Sequence, residues 1–127
     1  MSFEAGLQSY LEAHAGLKAL ISERVYPDAF PPGCVMPCLT HQIAGGTEWH
    51  IGRYQEPSVI ITIWATTPDS RIAVDAQLYE ALEKYHGLMG TVHVRVYLGP
   101  PSDGHDGATG LYSRRRTARP FYQQPTP

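Results

Sequence analysis

Between Pro57 and His86 the spacing of hydrophobic positions changes period once, from two to about 3.6. Val59, Ile61, Ile63 and Ala65 share one parity, and Ser58, Ile60, Thr62 and Trp64 share the other. Such a β-branched run suits a central strand with one fully apolar face. Thr67 is a natural N-cap, Pro68 fits the first helical position, and Asp69 faces the positive end of the helix dipole. The spacing predicts a helix from Pro68 to His86, stopped by Gly87. Val74, Leu78, Ala81, Leu82 and Tyr85 form its core face, and the contact expected first sets Val59, Ile61 and Ile63 against Val74, Leu78 and Leu82. Gln77, Glu80 and Lys84 mark the wet face. Ile72, Ala76 and Tyr79 form a second apolar sector, more than one sheet requires. Either the first helix of the chain or another subunit would cover it.

The rest of the chain is organised around this unit. Phe3, Leu7, Tyr10, Leu11, Leu17, Leu20 and Ile21 recur at helical spacing, with Ser2 as a cap, Glu4 in the first turn, and Gly16 marking a kink or a break into two helices. Val25-Tyr26-Pro27 ends helical structure, and the proline-rich stretch from Asp28 to Pro37 is a surface loop. Cys38 to Ile43 alternates as a short strand, Ala44 to Thr47 turns, and residues 47–56 form an extended hairpin arm carrying Trp49 and Tyr54. Thr91 to Leu98 is the cleanest strand, with Val92, Val94, Val96 and Leu98 on one side. Gly99 to Gly110 is expected as a flexible loop without core residues. Leu111 to Tyr122 would then return as a last strand, hairpinned with the one before. Pro120 should make it an edge strand or end it early. The expected fold is α+β in the order α-β-β-α-β-β. An antiparallel sheet of about four strands carries two main helices on one face, in a single domain over residues 1–122 with a tail from Gln123 to Pro127.

Composition adds limits. A chain of 127 residues has room for one modest core. A net charge of −2 argues against holding nucleic acid by bulk electrostatics, so any DNA contact would be local. The eight tyrosines suit contact surfaces as well as cores. No segment approaches the roughly 20 apolar residues of a membrane span, and the start Met-Ser-Phe-Glu-Ala lacks the features of a signal peptide. Cys34 and Cys38 alone are no disulfide framework, so intracellular synthesis with free thiols is expected.

Candidate chemistry is sparse. Cys34, Cys38, His41 and His50 are zinc-ligand types, but their spacing matches no standard knuckle, and Cys38 and His41 have opposite strand parity. Ser102, Asp103, His105 and Asp106 include the types of a hydrolase triad or a cation loop, yet sit as neighbours on a glycine-rich segment without a scaffold or a following glutamate. Arg114, Arg115, Arg116 and Arg119 form the dense positive cluster, Arg114 and Arg116 facing one way on a strand and Arg115 and Arg119 the other. They would pair with carboxylates across the strand, or serve at a phosphate backbone or a subunit interface. There is no glycine-rich phosphate loop, nucleophile elbow or helical metal pair. Neither catalysis nor a metal or other cofactor is expected.

Arg24-Val25-Tyr26-Pro27, the proline-rich loop and Pro37-Cys38-Leu39-Thr40-His41-Gln42 resemble the opening of the phage tail-completion family, small proteins related to tail terminators and head–tail joining proteins. The likeness continues through Ile63-Trp64-Ala65, the helix to Tyr85, and Gly110-Leu111-Tyr112-Ser113-Arg114-Arg115. Ala118-Arg119-Pro120-Phe121 departs from the family's uninterrupted aromatic-rich last strand. The resemblance implies a structural, non-enzymatic virion protein located in the tail or neck region and assembled in the host cytoplasm. It would be a homo-oligomeric ring, commonly a hexamer, that ends the tail tube. Its partners would be the major tail tube protein, head–tail connector proteins and DNA passing transiently through the lumen, with no membrane. A subunit interface would then involve Ile72, Ala76 and Tyr79, with Trp49 and Tyr54 next, and Arg114, Arg115, Arg116 and Arg119 would supply charge at the lumen or interface. A head-completion or neck protein is the neighbouring alternative, and a small metal- or ligand-binding module the more distant one.

Overall fold

Residues 3–21 fold as two helices, α1 (Phe3–Ala13) and α2 (Ala15–Ile21), and the break falls at His14. His14 is extended (φ −68°, ψ 119°), and its Nδ1 accepts a hydrogen bond from the Leu17 amide, so the imidazole caps α2. Gly16 lies inside α2, where the Gln77 side chain packs in the space a Cβ would need. Its role is close helix approach, and Gln77, expected on the wet face, is half-buried. The computed structural model describes residues 3–49, 53–90 and 92–123, so the expected cap Ser2 and the residues His50, Thr91 and 124–127 lie outside the described residues.

The strands are β1 (Val25–Pro27), β2 (Cys38–Trp49), β3 (Tyr54–Ala65), β4 (His86–Met89), β5 (Val92–Leu98), β6 (Ser102–Asp106) and β7 (Leu111–Gln123), with α3 (Pro68–Leu82) between β3 and β4. They form one sheet in the order β1-β2-β3-β7-β5-β4, with β6 paired to β7 off this path. The α+β class stands, but the sheet has seven strands where about four were expected. Each extra strand has a local cause.

Val25–Pro27 pairs in parallel with Leu39–His41, and Arg24 secures the junction by donating from Nε to the Pro37 carbonyl. β4 exists because α3 stops early. Lys84 takes the left-handed conformation (φ 56°) just past the Glu83 cap, so His86 and Gly87 join a strand rather than ending a helix. β6 carries no hydrophobic alternation and is fully exposed. It forms where β7 runs past β5: β5 pairs with residues 118–122 of β7, and β6 takes the same edge at 111–115. Gln123, expected in the tail, is the last residue of β7.

β2 continues through the expected turn at Gly45-Gly46 as a bulge and runs on to pair Trp49 with Tyr54, which makes the arm a long hairpin with β3. Gly45 and Gly46 carry positive φ (96° and 136°), conformations closed to most side chains. β7 is uninterrupted, and Pro120 is buried within it opposite Val96. The register of β3 with β7 is the same on both sides of a gap, and carried across that gap it sets Pro57 opposite Pro120. Neither residue has an amide donor, so the ladder opens where two donors are missing anyway.

All three helices lie on one face. Val59, Ile61, Ile63 and Ala65 are at most 1% exposed and pack with Val74, Leu78 and Leu82 as the sequence pattern requires. Thr67 Oγ1 accepts from the Ser70 amide, with Pro68 at the first helical position. Tyr10 stacks obliquely on Tyr85 (4.6 Å) and donates its hydroxyl to the Ala81 carbonyl (2.6 Å), tying α1 to α3. Burial, with the Tyr85 hydroxyl second, pushes the Tyr10 pKa up to about 12. At the other end His41 is buried under α1. Its Nε2 donates to Gln8 Oε1 (2.5 Å), and Gln8 Nε2 donates to the Val25 carbonyl.

Candidate assembly surfaces and a buried charge cluster

α3 carries three functions on three sides. Its core side has been described. A second side presents Asp75, which falls beside Val74 and Leu78 in the buried helical pattern and is only 5% exposed. β7 answers it from the core-facing parity. Arg116 binds Asp75 through both Nε–Oδ1 (2.6 Å) and Nη2–Oδ2 (2.9 Å), and Arg114 adds Nη1–Oδ2 (3.1 Å). Arg114 then grips Asp103 on β6 with two more bonds (2.7 and 3.0 Å), and Arg71 reaches the same carboxylate at 3.5 Å. Burial alone would raise the Asp75 pKa, but the Arg116 and Arg114 hydrogen bonds and charges outweigh it and hold the carboxyl below its ordinary range. The Arg114 pair likewise keeps Asp103 ionised.

The parity of the arginine cluster is as the sequence requires, but its two halves have different fates. Arg114 and Arg116 form an internal clamp: Arg116 also donates to the Gly99 carbonyl and lies over the Tyr79 ring (5.3 Å). Arg115 and Arg119 lie on the helix-free face of the sheet, exposed, and no ion pair joins either to a described residue. Asp75 and Arg71 escaped the sequence reading. The available signal was a carboxylate at a core position of the helical pattern, with an arginine four residues before it.

The third side of α3 is open. Ile72 is 49% exposed, Tyr79 47%, and Ala76 is exposed between them, so α1 and α2 leave the second apolar sector uncovered. The arm also shows its aromatics. Trp49 and Tyr54 are neighbours on the helix-free face and share Phe121 of β7, with ring centroids at 5.7 and 5.2 Å. Both stay more than a third exposed, so the arm folds on its own sheet and still presents an aromatic surface.

The other candidates come apart. Cys34 and Cys38 stay within reach of each other, Cys34 Sγ also near the Tyr26 hydroxyl and Cys38 Sγ near Met36 Sδ, while His41 is committed to Gln8. Burial is the main cause that raises the Cys38 thiol to about 12, which makes it an inert core group. No cluster of three metal-ligand side chains exists among the described residues, and His50 lies outside them. Asp103 is in the clamp, Asp106 caps the turn at Ala108 and Thr109, and His105 stacks on Tyr112, so these three side chains serve separate tasks. Among the described residues no helix is long and apolar enough to cross a membrane.

Comparison with known proteins places the fold. No protein-family model matches the chain, and no curated protein sequence does. Among solved structures, a chain from the virion of a native gene transfer agent particle superposes with a TM-score of 0.73 at 17% identity, covering 96% of this chain and 94% of that one. A second solved chain, whose name carries no functional description, gives a TM-score of 0.57 at 17% identity over 100% of this chain and 99% of its own. The chain therefore shares its fold with a chain of the gene transfer agent virion across nearly its full length.

Proposed function

We propose that this protein is a structural subunit of a tailed-phage-type virion, acting as a tail terminator or tail-completion protein. Its copies form a ring, a hexamer by family analogy, that ends the tail tube and joins it to the head connector while DNA passes through the lumen. The observation that carries the reading is the full-length fold match to a chain of a gene transfer agent virion. The segments from Arg24 to Gln42 and from Gly110 to Arg115, which resemble the tail-completion family, agree with it. So does the uncovered Ile72–Ala76–Tyr79 sector, an apolar surface of the kind subunit contacts bury.

The role is tested by deleting the gene from the phage or prophage that encodes it and imaging the particles by electron microscopy. Tails of abnormal length, or tails not joined to heads, are expected. Normal tailed particles lacking the protein would overturn the reading, and normal tails beside heads that lose DNA would move it to a head-completion role. In the purified protein, Tyr79→Asp should shift light scattering toward monomer while circular dichroism stays native; unchanged oligomer size would remove α3 from the interface.

A further inference from the structure

The exposed side of α3 is a single stripe. Asp69, Ile72, Ala76 and Tyr79 follow one another at intervals of three and four residues, and Glu80 and the half-buried cap Glu83 lie four residues on from Ala76 and Tyr79, with apolar groups at the centre and carboxylates at both ends. No basic residue falls within it, and no ion pair joins its three carboxylates to a described residue. On the opposite side of the molecule the sheet has the reverse character. Where β4, β5 and β7 lie side by side, their outward parity presents Leu88, Arg95, Tyr97, Arg119 and Phe121, and Arg115 continues the row. Leu88 and Tyr97 are each 53% exposed, and Arg95 shares with Arg115 and Arg119 the absence of an ion pair to any described residue. A groove of about 450 Å³ opens there between Tyr97, Pro100, Thr117 and Arg119.

We infer that these two surfaces bind each other between copies of this chain, the acidic α3 stripe of one copy docking on the basic, aromatic sheet face of the next. Charge complementarity selects this occupant: each face has an apolar centre, the α3 stripe carries carboxylates alone, and on the sheet Arg95, Arg115 and Arg119 outnumber the one carboxylate beside Phe121, Glu56. A total of −2 thus conceals a local separation of charge between the two surfaces. Because one surface lies on the helix layer and the other on the bare side of the sheet, they cannot satisfy each other within a two-fold dimer. A contact of this type runs head to tail and closes as a ring when the rotation per subunit permits. The inference rests on the proposed ring and names the two surfaces that would form it.

Two charge-reversed variants of the full chain test it, Arg95→Glu/Arg119→Glu on the sheet and Glu80→Lys/Glu83→Lys on the helix, each checked for native circular dichroism. Light scattering and sedimentation should show each alone self-associating at least about tenfold more weakly than the unmodified chain. An equimolar mixture should recover association, since every helix then meets a sheet face of opposite sign in an alternating ring. Failure of the mixture to recover, or wild-type association by both variants, overturns the inference. If Tyr79→Asp dissociates the oligomer while the sheet variant does not, the α3 interface stands and its partner surface has been misplaced. If the sheet variant keeps its oligomer but loses retention on duplex DNA, the face is a polyanion site and the inference also fails. A wild-type chain that stays monomeric at high concentration removes it, whereas the gene deletion judges the virion role separately.

Discussion

Replacing Asp75 by Asn keeps the shape of the side chain and removes the charge on which Arg114 and Arg116 converge. Three charge-assisted hydrogen bonds end on this carboxylate, at 2.6, 2.9 and 3.1 Å. Taken singly such bonds contribute about 1.5–3 kcal/mol, but they share one group and do not add. Removing one partner of a buried ion pair costs about 3–5 kcal/mol, because the remaining charge is stranded. Two features favour the lower end. The arginine side chains retain 17% and 11% exposure. Both also keep other partners, Arg114 on Asp103 and Arg116 on the Gly99 carbonyl and the Tyr79 ring. The expected loss is therefore about 3 kcal/mol, or a fall of about 10 °C in the melting temperature for a domain of this size.

Urea denaturation followed by tryptophan fluorescence measures that loss, and an Asp75/Arg116 double-mutant cycle should show coupling of about 1.5 kcal/mol or more. The pH dependence has a definite sign. A carboxyl held below its ordinary value of 3.8 in the folded chain stabilises it above that pH, and the contribution disappears as pH falls through the depressed folded value. The Asn variant should lack this part of the acid limb. An Asn variant within about 0.5 kcal/mol of the parent would refute the view that the clamp joins α3 to β7.

Two further perturbations probe other joints. Gly6→Ala should destabilise by about 2 kcal/mol in the same denaturation assay, because the added Cβ would stand 2.6 Å from the backbone carbonyl of Met89. A neutral result would mean that α1 does not lie against the end of β4. Burial lowers the His41 pKa below its ordinary 6.5, against the raising influence of Glu4, Asp28 and Glu12. The fold should therefore weaken as pH drops below 6.5 and the buried ring must take up a proton, while His41→Gln should lack that slope. Equal slopes in the two proteins would show that His41 is not the titrating group.

Local pattern was sufficient where each residue's fate depends on its near neighbours. The parity from Val59 to Ala65, the Thr67-Pro68 start of α3, and the Val74–Leu78–Leu82 face were all legible from spacing, since burial on one side imposes a period directly. The inner and outer halves of the arginine cluster were legible for the same reason, and so was the surplus of Ile72, Ala76 and Tyr79. What the pattern did not contain were contacts made between distant segments. β6 has no hydrophobic alternation and forms only because β7 offers an open edge and Arg114 offers a partner for Asp103. Pro120 sits inside a long strand because Pro57, 63 residues earlier, stands where its missing donor would otherwise matter. Asp75 can occupy a core position because two arginines from β7 neutralise it there. The basic sheet face is likewise assembled from β5 and β7, so Arg95 and Arg119 become neighbours only through strand pairing. Periodicity reports which side of an element is covered; only packing reports by what.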